Sequence, residues 1–195
     1  MAQLYTESYF RNLASQQRIT LNKSLDTILL ESNQAYTQFD IFLSHSYLDK
    51  EVITGVGIEL GKMGYKVYID WVIDQDLSRR QVNKQSVETL RKRISSCKCL
   101  YYATSSNSSS SKWMPWELGF MDGKKDKCAI LPINTSGYTK QTFQGQEYLS
   151  VYPYVVKELS DKNVNVLWIV ETPTKYIDFD SWLIGRKPYE RNSRI

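Results

Sequence analysis

Trp113-Met114-Pro115-Trp116-Glu117-Leu118 is the stretch whose residue types and spacing point most directly to chemistry. Trp113 and Glu117 are four apart, so on a helix they share one face. Proline is tolerated in the first turn of a helix, where its missing N–H is no loss. Pro115 therefore starts this helix at about Lys112 and puts Glu117 near its N-terminal end. A carboxylate beside an indole, at the mouth of the serine-rich segment 105–111, suits a sugar or a glycosidic bond. The same residues also fit a plainer arrangement, in which Trp113 and Trp116 pack the core and Glu117 complements the helix dipole.

Other chemistries find less support. His45 is the single histidine, and the cysteines are Cys97, Cys99 and Cys128. Their spacing matches no zinc-ligand pattern, so no metal site is expected. A hydrolase triad would have to use His45 as its base, and His45 falls just past an apolar run among other polar residues. An odd number of cysteines at or in apolar segments argues for buried thiols, not a disulfide framework. Gly55, Gly57 and Gly61 come close to a dinucleotide-binding pattern, but the third glycine is one place late and the run sits inside a helical pattern. Small residues for close helix packing account for them better. Asp74 and Asp76 lack the further oxygen ligands that a calcium loop needs. The net charge of +4 is mild, with lysines and arginines mixed among acids, so no nucleic-acid surface is expected. No apolar run reaches transmembrane length, and residues 1–10 lack the layout of a secretion signal. The expectation is a cytoplasmic protein with no membrane partner.

The elements that must position Glu117 follow from hydrophobic periodicity. Leu21, Leu25, Ile28 and Leu29 recur at helix spacing, and Leu4, Tyr9 and Leu13 mark a shorter helix before them. Residues 1–37 thus read as a helical extension, either a packing arm or an interaction arm. Phe39-Asp40-Ile41-Phe42-Leu43-Ser44 is a strand with a polar exit. Val52, Val56, Leu60 and Met63 mark a helix face that Gly64 stops. Lys66-Val67-Tyr68-Ile69-Asp70 is a second strand, and residues 71–80 are a polar loop. Val87, Leu90 and Ile94 give the next helix, residues 97–104 a third strand and residues 128–133 a fourth. Pro132 suggests a strand end or an edge. Residues 164–170 read as a fifth strand, residues 179–183 as a short last helix, and residues 187–195 as a charged tail that frays.

This alternation means a parallel sheet of about five strands with helices on both faces. The boundaries expected are an extension over 1–37, a domain over 38–185 and a tail over 186–195. In such sheets the ligand crevice lies beyond the carboxyl ends of the strands. Ser44, His45, Asp70 and Trp71 lie at those ends, and the start of the Glu117 helix converges on the same rim.

Taken in order, these pieces resemble a TIR (Toll/interleukin-1 receptor) domain. Phe39 to Ser46 with Asp49 resembles its first box, and Gly64 to Asp70 its second strand, followed by the BB loop. Trp113 to Glu117 matches the W-x-x-x-E pattern of its helix C, and Cys128 to Ile133 resembles its fourth strand. The resemblance implies a flavodoxin-like α/β fold. It also implies function, because the helix C glutamate is the catalytic residue in TIR proteins that cleave the nicotinamide–ribose bond of NAD+. Glu117 occupies that position. The implied protein is an NAD+-consuming enzyme of the bacterial type, similar to Thoeris antiphage TIR proteins. It takes NAD+ as substrate with no further cofactor, self-associates on activation, and reaches a separate effector through a nucleotide messenger. The N-terminal arm and the long, aromatic segment 138–154 depart from the family pattern and bear on how copies assemble.

The chemistry agrees with the residues. Breaking the glycosidic bond leaves positive charge on the ribose, and a nearby carboxylate stabilises that charge. Nicotinamide leaves as a neutral group, so one carboxylate can suffice. Trp113 would wall the nicotinamide–ribose pocket. Tyr68 and Trp71 would stack on a ring, Ser44 and Asp49 would bind ribose or phosphate, and His45 and Asp70 would complete the rim. For Tyr68, Trp71, Ser44 and Asp49, packing or capping accounts for the residue at least as well. Two other functions compete. A non-enzymatic TIR interaction module would depend on the BB loop, at Asp76 or Arg79, and not on Glu117. A nucleoside transferase of related fold would exchange bases on free nucleosides without using NAD+.

Overall fold

The computed structural model describes residues 4–21, 27, 38–74, 83–135, 143, 147–160, 164–193 and 195. Its strands join into one sheet. The parallel part runs in the order β3 (Val67–Tyr68), β2 (Phe39–Ser44), β4 (Cys97–Thr104), β5 (Cys128–Asn134) and β6 (Tyr154–Leu159). The sheet continues antiparallel through β7 (Asn165–Thr172), β8 (Lys175–Asp178) and β9 (Tyr189–Glu190). β1 (Tyr5–Thr6) lies parallel to the end of β5, with Tyr5 opposite Ile133. Helices α1 (Glu7–Leu21), α2 (Lys50–Lys62) and α6 (Phe179–Leu183) cover one face, where Ile41, Leu43, Tyr101 and Ile169 are buried. Helices α4 (Lys84–Ser96) and α5 (Trp113–Lys125) cover the other, over Phe42, Leu100, Ile130 and Val156. A single helical turn, α3 (Asp70–Ile73), follows β3. This is the parallel α/β sheet expected from the alternation of strands and helices, in the flavodoxin-like form that the family resemblance implies. Among the described residues no helix is long and apolar enough to cross a membrane.

Two local readings change. The fifth parallel strand is β6, and the run read as that strand, now β7, returns antiparallel to it. Only five residues separate Leu159 from Asn165, and a parallel return needs a crossover of a dozen residues or more. The charged segment expected to fray contributes β9, paired to β8 at Tyr176–Tyr189. Pro132 sits inside β5, opposite Thr104, the last residue of β4. Its missing N–H therefore falls where that ladder ends.

The N-terminal extension is left open by the sequence between packing and interaction, and its described part, residues 4–21, packs. All nine residues from Val52 to Leu60 are buried, on every side of α2. A helix buried all round must be covered on both faces, and here the sheet covers one and α1 the other. The crossing is close. A Cβ on Gly55 would lie 2.2 Å from the Phe10 carbonyl oxygen, so only glycine fits. Lys157 on β6 locks the arm in place. Its Nζ donates to Glu59 Oε1 at 2.7 Å and lies 4.7 Å over the Tyr9 ring, whose hydroxyl donates to Glu59 Oε2 at 2.9 Å. Leu25, Ile28 and Leu29 fall outside the described residues.

Candidate active site

Ser44 ends β2, and in the parallel ladder it stands beside Tyr102 of β4. Side chains alternate across a strand, so Ser44 points with Phe42 toward the α5 face. Glu117 lies one helical turn after Trp113 and points inward with Met114, Leu118 and Met121. The two meet: Ser44 Oγ donates to Glu117 Oε2 at 2.6 Å. Both side chains are fully buried. A carboxylate taken out of water needs donors to offset its lost hydration, and a charge-assisted bond of this kind contributes about 1.5–3 kcal/mol. Ser44 thus fixes the direction of the carboxylate.

His45 comes next in sequence and lies on the opposite face. Its Nδ1 is 2.6 Å from the Leu43 carbonyl oxygen, and its Nε2 is 3.2 Å from Asp70 Oδ1. An acceptor therefore faces each ring nitrogen. Asp70 opens α3, and Trp71 meets the imidazole edge-on at 4.6 Å between centroids. Lys50 lies 5.7 Å over the same indole. His45, Asp70 and Trp71 thus tie the end of β2 to the turn after β3. The remainder of the expected BB loop, including Asp76 and Arg79, is outside the described residues.

Asp49, Tyr68 and Trp113 have partners of their own. Asp49 is buried and accepts hydrogen bonds from Ser105 Oγ and, at 2.6 Å, from Asn107 Nδ2. It anchors the serine-rich loop. Glu7 of α1 holds the same loop by accepting from the Ser106 N–H at 3.0 Å. Partial burial works against the ionised Glu7, but the bonds from Ser106 and the nearby Arg11 guanidinium outweigh it and hold its carboxyl below the usual range. Tyr68 is fully buried and stacks on Phe42 at 5.1 Å. Its hydroxyl donates to Asp74 Oδ2 at 2.7 Å, and Arg93 grips Asp74 with two bonds. Trp113 is half-buried and packs edge-on against Trp116, at 5.7 Å between ring centroids.

A cavity of about 380 Å³ opens on the Glu117 side, past the end of β4. Tyr102, Thr104, Ser111, Pro115, Phe143 and Tyr148 are among its walls. Pro115 is two residues before Glu117, but Glu117 itself is not in the wall. Burial, with the Tyr148 hydroxyl and the Glu117 carboxylate nearby, pushes the Tyr102 phenol above its ordinary range, so it stays a neutral hydroxyl. The sequence places Pro115 and the segment 105–111 beside Glu117, but it names none of these cavity residues as substrate-binding. Tyr102 was legible in principle, because it lies near the carboxyl end of a strand, where ligands bind.

The parallel core flanked by helices on both faces is the architecture of a TIR-type domain. No protein-family profile matches the chain. It is 40% identical over 178 residues to a Bacillus cereus (strain MSX-D12) protein named "Probable 3' cyclic ADP-D-ribose synthase ThsB'", covering 89% of this chain and 92% of that protein. It is also 33% identical over 94 residues to a Cytobacillus dafuensis protein with the provisional name cyclic ADP-D-ribose synthase TIR2. That alignment covers 47% of this chain and 25% of the other. The chain belongs to the bacterial TIR-domain family of ThsB'.

Proposed function

We propose that the protein consumes NAD+, breaks the nicotinamide–ribose bond and closes the ADP-ribosyl product into a cyclic nucleotide that signals in antiphage defence. The observation that carries this reading is the buried Ser44–Glu117 pair, at 2.6 Å, in a chain 40% identical to a named 3' cyclic ADP-D-ribose synthase. In the reaction the bond from ribose C1 to the pyridinium nitrogen breaks, and its electron pair leaves with neutral nicotinamide. Positive charge develops on the ribose ring, and the Glu117 carboxylate, held in one direction by Ser44, stabilises it. An oxygen or nitrogen of the adenosine half then forms the new bond to C1. If water takes that place, the product is linear ADP-ribose. We assign cyclisation as the main outcome and hydrolysis as the side reaction.

Glu117 is fully buried, and a carboxylate with no exposure cannot touch substrate. The arrangement described is therefore the resting one, and substrate entry or contact between copies opens it.

The test is NAD+ turnover followed by mass spectrometry, with wild type and Glu117→Ala side by side in the presence of the activating cue. The expected result is nicotinamide release with a product at the mass of NAD+ less nicotinamide, both lost in the variant. Release undiminished in Glu117→Ala, or absent from the activated wild type, would reject the reading.

A further inference from the structure

The cavity beside Glu117 has no part in the reaction as written above. Its volume of about 380 Å³ is near the lower end of ligand pockets, which span about 300–1,000 Å³. One base with its ribose fits there, and a whole dinucleotide does not. The chemistry of the walls is selective. Tyr102, Phe143 and Tyr148 supply aromatic rings, and Thr104, Ser109 and Ser111 supply hydroxyls. Among the described residues no lysine or arginine lines it, and none of these offers a diphosphate a cation. A flat heterocycle with a sugar does find partners, because rings stack on the aromatics and the hydroxyls both donate and accept.

The walls are also built to stay in place. Tyr102 sits in a strand, beside Ser44 in the ladder. The serine loop is anchored twice, by Asp49 through Ser105 and Asn107 and by Glu7 through Ser106. The cavity is next to the reacting carboxylate but does not contain it. The ribose that loses nicotinamide has to touch Glu117, so the end of the dinucleotide left for the cavity is the other one.

We propose that this cavity holds the adenosine half of the substrate and thereby selects ring closure over hydrolysis. The proposal rests on the cyclase reading above. With adenosine seated there, its own acceptor atom stands next to C1 as nicotinamide leaves, forms the C1 bond and releases its proton when the acceptor is a hydroxyl. With the cavity impaired, water adds to C1 instead and linear ADP-ribose results.

Tyr148 is 45% exposed, so removing its ring does not open the core. In Tyr148→Ala the ratio of cyclic to linear product should fall by roughly tenfold, the scale of one lost base–aromatic stack, and by more than nicotinamide release falls. Tyr148→Phe, which keeps the ring, should restore most of the ratio. Separately, adenosine and nicotinamide riboside are titrated against the full chain and followed by saturation-transfer NMR. Adenosine should bind the wild type and lose its signal with Tyr148→Ala. If only nicotinamide riboside shows that dependence, the cavity belongs to the other end of the substrate and the assignment is overturned. Neither nucleoside binding, or an unchanged product ratio, overturns it as well. Failure of the wild type to release nicotinamide would reject the cyclase reading alone, since adenosine binding judges the cavity by itself.

Discussion

Ser44 and His45 are neighbours in the chain, yet they serve opposite faces of the sheet. Ser44 reaches Glu117 of α5 at 2.6 Å, while His45 reaches Asp70 of α3 at 3.2 Å. Both pairs are buried. What differs is what each pair joins. Ser44 orients a carboxylate beside a hydroxyl-lined cavity. His45 staples two consecutive strands at their ends, with Trp71 packed on the imidazole. Adjacent polar residues at a strand end need not form one site, because the pleat sends them to different sides. A buried polar contact can therefore hold the proposed catalytic carboxylate on one face and join two strand ends on the other.

This contrast can be broken by experiment. Beyond the loss of turnover expected for Glu117→Ala, the largest effect belongs to the cohesive side. His45→Ala takes the ring partner from the buried Asp70 carboxylate, which should cost about 3 kcal/mol of stability, the upper end for a buried group that loses a hydrogen-bond partner. Turnover per folded molecule should stay within about threefold of wild type, on the scale of a remote change. Urea melts and nicotinamide release, measured together, check this. A large loss of turnover in a folded His45→Ala protein would join the two faces into one site.

Ser44→Ala should behave in the reverse sense. The lost bond costs about 1–3 kcal/mol of stability, and a carboxylate free to turn should lower kcat roughly tenfold to a hundredfold. Comparing kcat with KM tests the role given to Ser44. A pure rise in KM would return Ser44 to direct substrate binding, while Ser44→Thr, which keeps a hydroxyl, should recover part of kcat.

The effect that is smallest near neutral pH is shared by both faces. Burial pushes the Cys97 and Cys128 thiols up to about 12, and Cys99 is raised as well. The native state holds the neutral thiol, so this contribution is full below the unfolded value near 9 and is lost as pH rises from there toward 12. Stability should fall above pH 9 with a slope of up to about 1.4 kcal/mol per pH unit for each group. Melting temperatures between pH 8 and pH 10.5 measure it, and a flat profile would show that these thiols are not held neutral.

Much of the fold is legible from residue patterns. Short apolar strands alternating with amphipathic helices define the parallel core, and Pro115 sets the start of α5, which runs from Trp113. Gly64 ends α2 region as expected, with a φ of +90°. The antiparallel β7 was not legible as such, since an apolar run of its length reads alike in either direction. Only the short distance along the chain from β6 decides. Of the site, Glu117 stands out in the sequence, but the roles of its companions do not. Asp49 and Tyr68 have the residue types of ligand binders, yet one anchors a loop and the other fills the core.

By itself, the sequence determined the alternating strands and helices of the parallel core from β2 to β5, which carboxylate stands at the head of α5, and the family to which the chain belongs. These follow from local periodicity, turn residues and short-range spacing. The tertiary structure alone decided the partnerships. Ser44 and Glu117 are 73 residues apart, and their bond exists because β2 and α5 meet on one face of the sheet. Tyr102, Phe143 and Tyr148 line one cavity because the end of β4 lies beside Phe143 and residues 147–149. Sheet order, register and pleat set such contacts, and those quantities are fixed by packing across the whole domain and not by any one stretch of the chain.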